Sequence, residues 1–182
     1  MKRLVCTTMV AVCAALAASV LQAQQVTQTG TGTGGSPHVR AEWAIDGAAL
    51  TVDYGRPSLK GRPETQLMPP GQPWRTGADQ PTLLTTNKTL KIGALTLAPG
   101  SYTINTVPGA SAWELLIGKN GGPSQGGIPY RQDLEIGRAP MKLATTPAPV
   151  ELVTIHIDDT PAGATLRIEW GTVSATIPFT VG

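Results

Sequence analysis

Leu166-Arg-Ile-Glu-Trp170 and Val173-Ser-Ala-Thr-Ile-Pro-Phe179 are the two runs whose reading decides the fold. In the first, Leu166, Ile168 and Trp170 alternate with Arg167 and Glu169. In the second, Val173, Ala175, Ile177 and Phe179 alternate with mostly small or polar residues. Successive side chains of a strand point to opposite faces, so a period of two is what a half-buried strand requires. Gly171-Thr172 between the runs reads as a tight connection of two strands.

Working outward, the same period recurs. It appears at Val39, Ala41, Trp43 and Ile45, at Leu50, Val52 and Tyr54, and at Tyr102 and Ile104. It returns at Trp113, Leu115 and Ile117, then at Val153, Ile155 and Ile157. Turn formers punctuate these runs: Asp46-Gly47, Pro99-Gly100, Pro108-Gly109 and Pro161-Ala162-Gly163. Asp133 to Leu143 has the polarity of a short helical turn, limited by Gly137 and Pro140. No longer stretch carries a helical face. The expectation is an all-β chain, an antiparallel β-sandwich (jelly-roll-like or related), with about eight to ten strands in two sheets and little helix.

The N-terminus has a different composition. Met1-Lys2-Arg3, an apolar run from Leu4 to Val20, and Ala23 before Gln24-Gln25 form the pattern of a secretory signal peptide, residues 1–23. Gln24 to Pro37 (QQVTQTGTGTGGSP) has one large apolar side chain, Val26, and is expected to be a flexible leader, residues 24–37. Residues 38–182 are then a single β-sandwich domain, long enough to build a core without staples. Cys6 and Cys13 both lie in the signal segment, so the mature chain would have no disulfide, cysteine nucleophile or thiolate metal site. Losing Lys2 and Arg3 leaves twelve basic against twelve acidic side chains. That balance argues against nucleic acid as a partner. The chain is expected to be periplasmic or secreted, with no membrane span after processing.

Most chemical motifs are missing. Gly118 to Tyr130 (GKNGGPSQGGIPY) is glycine-rich but lacks the helix and the Lys-Ser/Thr ending of a phosphate-binding loop. It reads as a surface loop or as a lid beside a cleft. His38 falls where leader meets domain and is expected to be exposed; His156 points away from Ile155 and Ile157. Asp158-Asp159 is expected to open a turn. No metal-ligand spacing, glycine-flanked serine or cofactor motif is present, so no catalytic residue, metal or cofactor is assigned.

One segment stands apart. Between Tyr54 and Ala78, the cations Arg56, Lys60, Arg62 and Arg75 face a single carboxylate, Glu64. The guanidinium fork suits carboxylate, phosphate or sulfate, and a tryptophan face suits a sugar ring. The candidate ligand-binding set is therefore Tyr54, Arg56, Lys60, Arg62, Trp74, Arg75, Asp79 and Tyr130. The competing reading pairs these arginines with Asp53, Glu64 and Asp79, stapling a long connection onto the sandwich.

The same residues carry a resemblance. Leu50-Thr-Val-Asp-Tyr-Gly-Arg-Pro-Ser-Leu-Lys-Gly-Arg62, Pro73-Trp-Arg-Thr-Gly-Ala78 and Leu97-Ala-Pro-Gly-Ser-Tyr102, with Trp113 opening the next strand, resemble the DUF2911 family of exported bacterial domains of uncharacterised function. The likeness runs from about Val39 to the C-terminus. The chain departs from the family pattern at Asp79, where asparagine is frequent, and in lacking a tryptophan near Tyr130. The resemblance implies export and a domain-wide unit, and no activity. The leading expectation is a non-catalytic envelope domain that binds an anionic or saccharide-like ligand or has a structural role. The alternatives are an envelope hydrolase using Asp79 or Glu64, and a protein-interaction module using an exposed sheet edge.

Overall fold

A computed structural model describes residues 24–119 and 131–182. Ten strands form one antiparallel ladder in the order β1-β2-β3-β4-β7-β8-β9-β10-β5-β6. In sequence they are β1 (Gln25–Thr31), β2 (Pro37–Ile45), β3 (Ala48–Gly55), β4 (Thr82–Thr86), β5 (Leu90–Ile92), β6 (Leu95–Leu97), β7 (Gly100–Val107), β8 (Trp113–Lys119), β9 (Glu135–Thr160) and β10 (Gly163–Val181). The only helical pieces among the described residues are one α-turn, α1 (Glu64–Leu67), and a 3-10 turn at Gln132–Leu134. The chain is all-β, as its alternation requires. The strands follow one continuous order.

That ladder curls over. The Ile155 amide of β9 donates to the Tyr54 hydroxyl of β3 at 3.1 Å, although the two strands are not neighbours in the order. The long strand β9 links the two parts of the ladder. The first part of β9 pairs with β8, through Trp113↔Met141 and Leu115↔Ala139. The remainder pairs with β10, from Thr176↔Lys142 to Gly163↔Thr160. One apolar cluster fills the interior, including Val39, Trp43, Leu50, Val52, Ile104, Leu115, Ile155, Leu166, Ile168 and Phe179. These are the residues whose period of two marks the strands, and their burial supplies the main driving force.

The turns follow local chemistry. Asp46 and Gly47, both at positive φ (48° and 72°), form the two-residue hairpin loop between β2 and β3. Gly171, expected to separate two strands, instead lies within a continuous β10. The β9–β10 register shifts on either side of it. Its φ of +59° and close packing against the Glu64 carboxylate explain why glycine stands there. The Thr172 amide donates to Glu64 Oε1 at 2.5 Å, so α1 anchors the bulge.

The leader also differs from expectation. Residues 25–31 form β1, paired antiparallel with β2 from Gln25↔Glu42 to Thr31↔Pro37. Every β1 residue is exposed, so no apolar alternation could reveal it. Backbone hydrogen bonding to β2 and fixings at its two ends hold it instead.

Gly171→Ala is expected to destabilise the protein by about 1–3 kcal/mol, combining left-handed strain with displacement of Glu64. Gly34→Ala, where nothing lies within 4 Å of an added Cβ, should be close to neutral. Equilibrium urea denaturation of both variants checks this.

Candidate functional site

The second part of β9 has β10 on one side only, which leaves a row of backbone groups on the other. The basic segment covers that row. Leu59 donates its amide to the Glu151 carbonyl at 3.0 Å, and Val153 donates to the Pro57 carbonyl at 3.1 Å. Side chains continue the pattern where the backbone diverges. Arg56 Nε donates to the Val153 carbonyl at 2.9 Å, and a second Arg56 nitrogen reaches Thr154 Oγ1 at 2.7 Å. The Tyr54 hydroxyl accepts from the Ile155 amide, and Gln24 Nε2 donates to the Ile155 carbonyl at 3.1 Å. Tyr54, Arg56 and Gln24 thus act as pieces of a missing strand. Each such bond contributes about 0.5–1.5 kcal/mol net, and leaving its partner buried and unmade costs about 1–3 kcal/mol.

The rest of the segment closes on itself. Lys60 and Gly61 both have positive φ (50° and 70°), forming a turn closed by Arg62 N to the Leu59 carbonyl at 3.0 Å. The Glu151 carboxylate accepts from the Ser58 hydroxyl and from the Lys60 amide, which holds its pKa below the usual carboxylate range. Arg62 donates to the carbonyls of Leu59 and Ser58, at 3.0 and 2.8 Å. The Lys60 side chain is exposed. The arginines are engaged as the stapling reading requires, but their partners are mainly carbonyls rather than Asp53, Glu64 and Asp79. Asp53 pairs with Arg40 at 2.8 Å.

Trp74 belongs to the core. It is 9% exposed, stacks on Trp170 with ring centroids 5.5 Å apart, and meets Trp113 edge-on at 6.2 Å. Its backbone bonds reciprocally with Thr106, extending the ladder beyond the end of β4. Thr76 is fully buried at φ +57°, an unusual conformation for a β-branched residue. Hydrogen bonds from Thr82 Oγ1 to its carbonyl and between its hydroxyl and Thr106 Oγ1, both 3.1 Å, hold it there. A Cβ on Gly55 would collide with the Ala78 carbonyl, and one on Gly77 would crowd the Thr82 hydroxyl and the Gly55 carbonyl.

Asp79 marks an open feature among the described residues. Its φ is +62°, and the Arg75 guanidinium donates to its carbonyl at 3.0 Å. Its Oδ2 lies 3.0 Å from His38 Nε2 and packs against Gly32, where a Cβ would collide with it. His38, expected to be exposed, is largely buried, its side chain 15% accessible. Two recesses, of about 300 and 470 Å³, meet at His38. Thr29, His38 and Gln80 line both. Arg40, Asp53, Tyr54 and Leu83 lie on one side, and Thr31, Thr33 and Asp79 on the other.

A family model described as "Protein of unknown function (DUF2911)" matches residues 36–179. The chain belongs to the DUF2911 family. No curated protein and no solved structure matches it.

The resemblance seen in the sequence thus marks, in this DUF2911 chain, an edge cover and a tryptophan-centred core. Tyr54, Arg56, Arg62 and Trp74 serve these structural contacts. Of the candidate set, Tyr54 and Asp79 border the recesses, with Arg75 holding the Asp79 backbone. Tyr130, with most of the glycine-rich loop, lies outside the described residues. The departure at Asp79 is explicable: asparagine and aspartate both tolerate positive φ, and the charge here meets His38. Thr29, His38 and Gln80 were not among the candidates, because their convergence depends on β1, which has no apolar signal.

A second polar cluster covers the outer face of β9 and β10. Asp158 lies within β9 rather than opening a turn, and binds Arg167 through two bonds of 2.7 and 3.0 Å. These bonds lower the Asp158 pKa. His156 lies 3.6 Å from Glu169 and 3.0 Å from Gln24 Oε1. Burial, aided by Arg167, pushes its pKa below the ordinary 6.5. Both groups bind fewer protons folded than unfolded, so their contributions are present above the unfolded pKa values and are lost as pH falls. The His156 part is lost as pH drops below about 6.5 towards its lower folded value.

Two expectations follow from these contacts. Arg56→Ala should cost about 2–4 kcal/mol, and Tyr54→Phe about 1–2 kcal/mol, in urea denaturation. Stability of the parent should fall between about pH 7 and pH 5, and His156→Gln should flatten that fall.

Proposed function

We propose that this DUF2911 chain is an exported envelope domain that binds a small, neutral, hydroxyl-rich ligand of saccharide type without transforming it. The binding place is the polar groove around His38 and Asp79. The observation that carries this reading is the convergence of both recesses on Thr29, His38 and Gln80, with further threonine hydroxyls alongside. Hydroxyls, an amide, an imidazole and a carboxylate offer donors and acceptors in the mixture that a polyol requires. A neutral ligand is favoured over an anion because Arg56 and Arg62 are occupied by internal acceptors and Arg40 by Asp53. Asp79, left-handed and held by His38 and Arg75, gives the groove a fixed wall, which lowers the entropy cost of binding.

Export rests on the signal pattern of residues 1–23. Processing there would leave Gln24 as the first residue, at the point where its side chain grips β9. The hydrolase alternative has less support. Glu64 is engaged by Thr172, and Asp79 by His38.

A calorimetric and thermal-shift screen of residues 24–182 against neutral sugars, sugar phosphates and organic acids tests the reading. A midpoint rise with a neutral sugar, lost in Gln80→Ala, is expected. Gln80 is exposed, so its truncation should leave the unliganded midpoint unchanged. Binding only of anions, or sugar binding indifferent to Gln80→Ala, would overturn the proposal.

A further inference from the structure

Gln24 precedes β1 and is half-buried, whereas every residue of β1 itself is exposed. Both polar atoms of its side-chain amide are engaged by β9. Nε2 donates to the Ile155 carbonyl at 3.1 Å. A carbonyl only accepts, so this bond fixes the orientation of the amide and turns Oε1 towards His156 Nδ1, 3.0 Å away. Nδ1 must then carry a proton and donate to Oε1, whatever the state of Nε2. On the other side of the ring, β10 supplies Glu169, 3.6 Å from His156 Nε2 and itself paired with Arg167 at 2.7 Å.

The pattern behind the export reading places the cut between Ala23 and Gln24. Gln24 would then carry a free α-amine, and a glutamine in that position has a reaction of its own. The neutral α-amine attacks the side-chain Cδ of the same residue, to which it is tethered. The N–Cδ bond forms, the Cδ–Nε2 bond breaks, and a proton from the amine departs with Nε2 as ammonia. The product is a lactam; nothing is oxidised or reduced, and no co-reactant is needed. Ring closure turns Cδ back onto the α-nitrogen, whereas the two bonds hold the amide on β9. The lactam has lost Nε2 and cannot donate to the Ile155 carbonyl. Docking and cyclisation therefore exclude each other.

We propose that β9 guards Gln24 as an N-terminal modification site: docked on Ile155 and His156 it stays a free glutamine, and undocked it cyclises. This rests on the export reading, and on its cut before Gln24 in particular. Cyclisation runs only through the undocked fraction, so the two bonds slow it by roughly tenfold. The guard bears on the groove, because β1 carries Thr29 and Thr31 and has no buried residue to hold it. Its start is fixed by Gln24, and just past its end Gly32 packs on Asp79. Loss of Nε2 removes a donor from the β9 edge and frees the start of the strand.

The full chain, residues 1–182, expressed in a bacterial host with a periplasm and read by intact mass, supplies the test. The exported protein should begin at Gln24 and retain its ammonia. A first residue other than Gln24 would overturn the export cut and this proposal together. A chain that begins at Gln24 but has already lost ammonia would overturn this proposal alone. The same protein is then held at neutral pH and followed by mass for loss of ammonia. Folded parent should cyclise roughly tenfold more slowly than the same chain unfolded in guanidinium chloride. Folded His156→Ala, checked by far-ultraviolet dichroism, loses one of the two bonds and should cyclise severalfold faster than the parent. Equal rates in folded and unfolded parent, or a folded His156→Ala no faster than the parent, would contradict the guard. If His156→Ala fails to fold, the comparison of folded with unfolded parent decides.

Discussion

A strand paired on one side must still satisfy the backbone groups on its other side, and the free edge of β9 sets that requirement here. The interior face of this strand supplies Val153, Ile155 and Ile157 to the core, so its edge lies where water has limited access. The chain meets the requirement with a short backbone stretch, Pro57 to Leu59, followed by three side chains that stand in for a strand. Tyr54 supplies the acceptor, and Arg56 and Gln24 supply donors. Burial raises the Tyr54 pKa and keeps the phenol neutral, so its hydroxyl can fill this role at ordinary pH.

This constraint reorganises the chemistry that the composition suggests. A cluster of cations in a neutral chain invites an anion, yet the guanidinium fork serves equally well as a donor to carbonyls when a strand edge must be closed. Arg62 shows the same use on a smaller scale, binding two carbonyls of its own turn. Trp74 offers no face to solvent because both of its ring contacts are other tryptophans. The groove arises beside these elements, where the close packing of Gly55 and Gly77 brings loop 76–79 down onto the β1–β2 hairpin.

Legibility in the sequence followed burial. Strands with one buried face, such as β2, β3 and β10, show the period of two and were readable. β1 is exposed on both faces, and β4 to β6 are short, so neither offers enough alternating positions. The first part of β9 was obscured by Gly137 and Pro140, although Pro140 sits within a ladder opposite Glu114. The importance of Tyr54, Arg56 and Trp74 was visible, whereas their role was not. Whether an arginine meets a ligand or a carbonyl nearly one hundred residues away depends on where β9 exchanges β8 for β10 as its partner, which no local pattern encodes.

Native-state hydrogen exchange at the β9 amides tests the edge cover most directly. The amides of Val153 and Ile155, which face residues 54–59, should exchange as slowly as those shared with β10, and Arg56→Ala should speed these two before the rest of the strand. Fast exchange of Val153 and Ile155 in the parent, beside a protected β10, would mean that the edge is open and that the basic segment is held for another purpose.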